Sequence, residues 1–117
     1  MINIVSSSRY KISKKKLRPS ILKLLLQHGL SDNYTVNLAF VGKNKMKDIS
    51  NKYKQEDIAL PILTFLYNDK ESEGRLLGEI LICYPQAVLL AAERGKRVDD
   101  VILNLVDHGI KNLTQKL

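Results

Sequence analysis

The sequence has a single cysteine, Cys83, and no tryptophan. One thiol excludes an intrachain disulfide framework and a zinc site built from several cysteines, and it fits a reducing cytosol. No apolar stretch approaches the roughly 20 residues of a membrane span. The start, MINIVSSSRYK, lacks the apolar core and the small-residue cleavage site of a secretory leader. We therefore predict a cytoplasmic protein with no membrane segment.

Glycine (6) and proline (3) are too few to form a linker, and no internal repeat or low-complexity tract interrupts the 117 residues. This length fits one domain with one modest core. The composition, 44% hydrophobic and 26% charged, is typical of folded globular proteins. We expect a single domain over residues 1–117.

Acidic residues are scarce in the first half of the chain. Residues 1–56 hold 12 basic and 3 acidic side chains (12 − 3 = +9), whereas residues 57–117 hold 7 and 9 (7 − 9 = −2), which together give the net charge of +7. Such an asymmetry favours nucleic acid or an anionic surface as the partner, although a basic charge by itself also serves solubility.

The basic residues are most concentrated in a run that contains no acid: Arg9, Lys11, Lys14, Lys15, Lys16 and Arg18. Lysine and arginine neutralise phosphates, and the ring of Tyr10 within the run is of a kind that stacks on bases, so we predict RNA contact by this run. No RRM, KH, zinc-finger or DNA-specific signature accompanies it. Recognition is therefore expected to rest on shape and charge.

Hydrophobic periodicity predicts the element order β-α-β-α-β-β-α-α. Alternating or apolar runs predict strands at residues 2–4, 34–41, 62–67 and 76–83. Apolar residues that recur at spacings of three and four residues predict helices over 15–28, 43–53, 85–93 and 98 to about 113. Pro19 is expected in the first turn of the first helix, and Gly29 and Gly95 are expected to end the first and third helices. Residues 68–74 are predicted to be a polar turn. The predicted fold class is α+β, a small mixed sheet of about four strands packed with about four helices.

Four stretches of the chain occur in an order and spacing that resemble a known family. They are YTVNLAFVGKNKMKDISNKYKQED, ILTFLYN, GEILIC and AERGK. They are similar to the bacterial YbeY-type endoribonucleases that mature ribosomal RNA, and the likeness covers most of the chain. The resemblance implies a YbeY-like fold, a zinc ion in typical members, and RNA as the partner, in particular ribosomal RNA or the small ribosomal subunit.

The signature of that family is H-G-x-x-H-x-x-x-x-x-H, whose three imidazoles hold a zinc-like ion and leave one position for water. His108 and Gly109 match its first two letters, Asn112 stands at the second histidine, and the third would fall at position 118, beyond Leu117. An asparagine oxygen is a weak, neutral zinc ligand. We therefore expect neither a bound metal nor another cofactor.

The resemblance also implies that the family uses an arginine in the turn after the second helix to act on the phosphate, and Lys54 matches that position. Lysine keeps the charge but lacks the planar fork of arginine. His108 and Lys54 are thus the candidate catalytic residues. A metal-free His108 would need a second titrating group, for which Lys54, Lys111 and Glu79 are the candidates.

Three residues also have ordinary structural interpretations. His108 lies at the edge of the last helix's predicted buried face, in a stripe with Val101, Leu105 and Asn112, where it would form a hydrogen-bonded structural or RNA-contacting pair with Asn112. His28 is expected to be a helix-end residue, and Cys83 a buried, unreactive thiol.

These features predict a ribosomal-RNA-associated maturation factor of the YbeY family that binds RNA through its basic N-terminal half and has lost the metal hydrolase site. Two alternatives stay open. One is an active single-strand-specific endoribonuclease in ribosomal RNA processing, either metal-free or with an incomplete metal site. The other is a protein-binding adaptor in ribosome assembly. RNA cleavage that depends on His108 would identify the nuclease. Salt-sensitive binding of RNA that stays intact would identify the binding factor, and the absence of both properties would identify the adaptor.

Overall fold

The computed structural model describes residues 2–30, 33–67 and 76–115, and within them the elements follow the predicted order. The strands are β1 (Ile2–Val5), β2 (Thr35–Val41), β3 (Ile62–Leu66) and β4 (Leu76–Cys83). The helices are α1 (Lys14–Gln27), α2 (Lys43–Lys54), α3 (Tyr84–Arg94) and α4 (Val98–Gln115). The polar turn predicted over 68–74 lies outside the described residues.

The strands form one mixed sheet in the order β1-β2-β4-β3. β1, β2 and β4 are parallel to one another, and β3 is antiparallel to β4 at one side of the sheet. This arrangement confirms the predicted α+β class. The three parallel strands end at the same edge, which we call the carboxyl edge, and the chain enters α1, α2 and α3 there.

The two faces of the sheet are covered unequally. On one face, strand residues such as Ile80 pack against α1, α3 and α4 in the main core. On the opposite face, Leu63 and Leu81 belong to a smaller cluster that packs against Met46 of α2. We refer to these as the three-helix face and the α2 face.

Local signals explain where α1 begins and ends. The Ser13 hydroxyl accepts the N–H of Lys16 at 3.2 Å and caps the helix, which therefore begins at Lys14. Pro19 was predicted to lie in the first turn of the helix, but because α1 begins at Lys14 it lies in the second turn. Proline has no backbone N–H, so one hydrogen bond of the helix is missing there. Gly29 and Gly95 adopt positive φ angles of 78° and 61° at the ends of α1 and α3, which confirms their predicted role.

The buried face of α4 is wider than the sequence pattern indicated. Val106 and Ile110 lie outside the predicted stripe and are fully buried, whereas Leu105 lies within the stripe and is only partly buried. The difference arises because α4 packs against α1, α3 and two strands at once, so that a broader arc of the helix is enclosed. Within the described ranges, no helix combines the length and the apolar character needed to cross a bilayer.

Two glycines set the distance between α4 and the sheet. A Cβ atom at Gly109 would lie 3.0 Å from Cδ1 of Ile80. A Cβ atom at Gly78 would overlap the backbone carbonyl oxygen of Phe65 and lie 2.8 Å from Cδ2 of Leu113. Neither position has free space for a methyl group, so both glycines are required for the close packing of α4 on β3 and β4.

A polar contact joins α1 to α4. Nε2 of His28 lies 2.7 Å from Oδ1 of Asp107, and the contact is partly buried. His28 was predicted only to be a helix-end residue, and it does cap the C-terminus of α1. Its ring therefore has a second function, which is to connect the end of α1 to the middle of α4.

We predict that Gly78→Ala destabilises the fold more than Gly109→Ala. The methyl group at position 78 meets a rigid backbone carbonyl, whereas at position 109 it meets the flexible ends of isoleucine side chains. Overpacking typically costs about 1–3 kcal/mol, and we expect Gly78→Ala to fall at the upper end of that range and Gly109→Ala at the lower end. Urea unfolding curves of the two variants and of the wild type measure the difference. Equal free energies of unfolding for all three proteins would contradict this account of the packing.

Candidate functional site

His108 and Asn112 lie one helical turn apart in the second half of α4, towards its solvent side. The His108 side chain is exposed, Asn112 is half-buried, and Val101 at the start of their stripe is buried. The pair therefore lies at and beyond the edge of the buried face. Among the described residues, neither side chain forms a hydrogen bond, so the structure does not join them as the hydrogen-bonded pair that was considered.

The surroundings of His108 do not fit a zinc site of the family's type. Such a site needs three or four protein ligands around one ion. No three histidine, cysteine, aspartate or glutamate side chains come together in residues 2–30, 33–67 and 76–115. Asp107, the acid nearest to His108 in sequence, is already paired with His28.

Lys54 is exposed at the last position of α2, and Gln55 then turns the chain with a left-handed φ of 55°. Because α2 packs on one face of the sheet and α4 on the other, the two candidate catalytic residues Lys54 and His108 are carried by helices on opposite faces.

The side chain of Glu79 likewise lies on the opposite face of the sheet from α4. Gly78 and Ile80, its neighbours on β4, face α4, so Glu79 points to the α2 face. Of the titrating groups considered for His108, only the exposed Lys111 lies beside it, three residues further along α4.

The predicted basic run forms much of the carboxyl edge. Lys14, Lys15 and Lys16 make up the exposed first turn of α1, which has no acidic residue, and Arg9 and Lys11 are exposed in the loop before it.

This loop reaches the starts of α2 and α3. The Tyr10 hydroxyl lies 3.0 Å from where a Cβ atom would stand on Gly42, and the Tyr10 ring centroid is 4.7 Å from that of Tyr84. The exposed Lys43 and Lys45 in the first turn of α2 belong to the same edge. We call this surface the basic edge, and its members are Arg9, Lys11, Lys14, Lys15, Lys16, Lys43 and Lys45.

Two residues of the predicted run also have contacts within the fold. Arg18 donates from Nη1 to the carbonyl oxygen of Ile2 at 2.6 Å, which holds α1 against β1. Tyr10 is half-buried, and its ring packs on that of Tyr84. Periodicity could not reveal either contact, because the partners lie 16 and 74 residues away (18 − 2 and 84 − 10).

A groove on the α2 face was missed entirely by the sequence analysis. It has a volume of about 360 Å³ and lies between the C-terminal half of α2 and the strands β3 and β4. We call it the aromatic groove, and the side chains that define it are Lys52, Tyr53, Phe65, Tyr67 and Glu79.

The rings of the aromatic groove are held together by contacts. The Tyr53 and Phe65 centroids lie 5.1 Å apart in an edge-to-face arrangement of 71°. Partial burial, the Glu79 carboxylate and Tyr53 together raise the pKa of the Tyr67 hydroxyl above its usual value. Tyr53 is 57% exposed, and a ring of this size at the surface is typical of a binding site.

Cys83 is fully buried at the end of β4, in agreement with the sequence analysis. Burial raises the pKa of its thiol, although a backbone hydrogen bond from Gln86 and the nearby Lys43 act in the opposite direction. A raised pKa keeps the thiol protonated and poorly nucleophilic.

Comparison with known proteins identifies similar sequences and a similar structure. The sequence profile of a family described as Endoribonuclease YbeY matches residues 3–114. A curated protein named Endoribonuclease YbeY from Finegoldia magna is 32% identical over 98 residues, which cover 83% of this chain and 64% of that protein. Another of the same name from Janthinobacterium sp. is 31% identical over 99 residues, 85% of this chain and 62% of that protein. The chain thus spans slightly less than two thirds of the length of these relatives.

A solved structure shares the fold. The solution structure of TM1509 from Thermotoga maritima aligns over 97% of this chain and 72% of that chain with a TM-score of 0.67 and 23% sequence identity. This similarity extends from β1 to α4 and supports the predicted arrangement of sheet and helices.

We predict that the protein, purified without added zinc, carries far less than one equivalent of metal. His108 and Asn112 occupy the first two of the family's ligand positions, no cluster of three ligating side chains occurs among the described residues, and a histidine beside an asparagine binds zinc weakly. Elemental analysis of the purified protein gives the metal content, and thermal unfolding with and without a chelator gives its effect on stability. We expect an unchanged melting temperature. A stoichiometric zinc or nickel ion whose removal lowers the melting temperature would contradict this expectation and show that the protein has a complete ligand set.

Proposed function

The chain belongs to the YbeY endoribonuclease family, and on that premise we propose that it is a ribosomal-RNA-associated maturation factor that binds RNA through its basic edge, without a metal hydrolase centre. The observation that supports this most directly is the grouping of basic side chains from two helix starts and the β1–α1 loop at one edge of the sheet. We place this activity in the cytoplasm, which suits both an RNA partner and a lone buried thiol.

The basic edge is suited to a phosphate backbone for two reasons that reinforce each other. The first turns of α1 and α2 present backbone N–H groups and the positive end of the helix dipole. In the ranges that the structure describes, no lysine or arginine of the basic edge forms an ion pair, so their charges are available to a ligand. The interaction proposed is electrostatic, and it contains no group that reads a base sequence.

The environment of His108 supports the absence of a metal hydrolase centre. The histidine is exposed, Lys54 is carried by a helix on the other face of the sheet, and Glu79 points away from α4. Hydrolysis by general acid and base would need a second positioned group, and Lys111 is the only candidate of those considered that lies beside His108.

We predict that RNA affinity falls with salt and depends on the start of α1. If three to seven phosphates are neutralised, the log-log slope against salt should be on the order of −2 to −5. Replacing Lys14, Lys15 and Lys16 together by Glu should weaken binding to every single-stranded RNA tested, as measured by fluorescence anisotropy.

The matched control is the triple variant of Arg94, Lys96 and Arg97 to Glu, which changes the net charge equally at the far end of α3. It should bind far more tightly than the Lys14, Lys15 and Lys16 variant. Equal affinities of the two triple variants would show that only net charge matters and that the basic edge is not the binding site.

We predict no RNA cleavage above contaminant level, and no recovery in Asn112→His, because two imidazoles without a third ligand still bind zinc weakly. The assay compares wild type, Asn112→His and His108→Ala on single-stranded RNA after matched purification. Loss of a general acid or base typically costs about 10²- to 10⁴-fold in rate. Wild-type turnover that falls by about a hundredfold or more in His108→Ala would therefore identify an active endoribonuclease and overturn this proposal.

A further inference from the structure

We infer that the aromatic groove on the α2 face binds one unstacked base of single-stranded RNA, and that guanine is the base it fits best. This inference rests on the proposed RNA-binding function, but it concerns a different surface from the basic edge. It assigns base selectivity to a protein whose basic edge has none.

The aromatic rings provide the stacking surface. Tyr53 is 57% exposed and Tyr67 51% exposed, and Phe65 lies half-buried with its ring against that of Tyr53. Exposed aromatic rings that are held by neighbouring contacts are the usual platform for splayed-out bases of single-stranded RNA. The volume of about 360 Å³ lies at the small end of the range for ligand sites. A single flat ring system is the class of ligand that suits these dimensions.

Glu79 supplies the selectivity. In the sheet register it pairs with Asn37 on one side and with Phe65 on the other, so its carboxylate lies on the same face as the rings. It is half-buried, and within the described parts of the chain it has no hydrogen bond or ion pair. A partly desolvated carboxylate is unfavourable until N–H donors reach it.

Among the four bases, guanine matches a carboxylate best. Its Watson–Crick edge presents the N1–H and N2–H donors side by side, so that the two oxygens of Glu79 accept one hydrogen bond each. Adenine and cytosine offer one amino group beside a ring acceptor, and uracil offers one N–H between two carbonyl groups. In each of these bases, an acceptor atom is brought against the carboxylate and repelled.

A cationic ligand is the alternative to a base, because aromatic rings beside a carboxylate also bind cations. The positive charge around the groove argues against it. Lys52 places Nζ 5.4 Å from the Tyr53 ring centroid and so already supplies a cation at this wall. The helix α2 carries five lysines and one aspartate. Its charge repels an ammonium group and attracts a phosphate backbone.

The same helix connects the groove to the basic edge. Lysines occur along α2 from Lys43 at the basic edge to Lys54 beyond the groove, a distance of about 16 Å at 1.5 Å per residue. Beside the groove, Glu79, Asn37 and Asn3 are paired on three neighbouring strands and form a row of polar side chains across the sheet. Nδ2 of Asn3 donates a hydrogen bond to Oδ1 of Asn37 at 3.1 Å. One short RNA strand can therefore place its phosphates along α2 while one base enters the groove.

The test uses uridine heptamers whose central residue is guanosine, inosine, adenosine or uridine. Inosine lacks only the N2 amino group of guanosine, so the comparison isolates one of the two predicted hydrogen bonds. Fluorescence anisotropy at fixed salt should give about a tenfold preference of the wild type for guanosine over inosine, which corresponds to about 1.4 kcal/mol.

Glu79→Gln should reduce that preference to less than about twofold, because an amide offers only one oxygen. Glu93→Gln is the matched control, since it makes the same change in charge at an exposed site on α3, and it should keep the full preference. Tyr67→Ala should lower affinity for the guanosine heptamer to that of the all-uridine heptamer. Thermal unfolding of each variant shows whether it is folded.

The outcomes separate the groove from the proposed function. Salt-sensitive binding without a preference for guanosine over inosine overturns the inference about the groove, as does a preference that survives in Glu79→Gln. Either result leaves the proposal for the basic edge standing. Competition of tetramethylammonium with the guanosine heptamer at constant ionic strength, lost in Glu79→Gln, would assign the groove to a cation and also overturn the inference.

If no heptamer binds at all, the proposed function fails, and the groove is then tested by itself with guanosine 5′-monophosphate. Amide chemical shifts at Tyr67, Glu79 and Leu81 that move in the wild type and not in Glu79→Gln support the groove. The absence of such shifts overturns it.

Discussion

At Gly109 and Gly78, α4 and the sheet lie so close together that neither position has room for a methyl group. This contact fixes the rotation of α4 about its own axis, because the face around Gly109 must be turned inward. His108, the preceding residue, is thereby placed on the solvent side, and Asn112 lies one turn further along that edge. Close packing therefore accounts for the glycine at position 109. The fixed rotation of α4 accounts for the exposure of His108 beside it in sequence.

The distribution of charge depends on the same architecture. Parallel strands end at a common edge, so the helices that follow them begin there, and basic residues at those helix starts are brought together although they are about thirty residues apart in sequence (43 − 14 = 29). The helix α2 crosses to the face that α4 does not occupy, and its lysines extend the positive surface to the aromatic groove. The proposed phosphate-binding edge and the proposed base-binding groove are thus connected by one helix, α2.

Much of the fold was predictable from local patterns. The alternation in β2, the glycines that end α1 and α3, and the order of the elements all follow from short-range periodicity, and the structure confirms them. The extra width of the α4 core and the position of Pro19 were not predictable in this way. They depend on how many neighbours enclose a helix and on which residue caps it.

The candidate site was less predictable, because side-chain partners come from distant parts of the chain. His28 and Asp107 are 79 residues apart, and the contacts of Arg18 and Tyr10 also bridge different elements. Glu79 lies beside Phe65 and not near His108 because of strand register, which no local period specifies. Periodicity indicates which side of an element is buried, but it does not identify the neighbour on the exposed side.

We propose that RNA lies on the carboxyl edge and the α2 face, and not against the exposed end of α4. Backbone amide chemical shifts recorded during titration with a guanosine-containing RNA heptamer test this claim most directly, since they map the contact residue by residue. We expect shifts in residues 9–16, 43–45, 52–54 and 65–67, with little change in residues 104–115. Shifts confined to His108, Asn112 and their neighbours on α4 would contradict it.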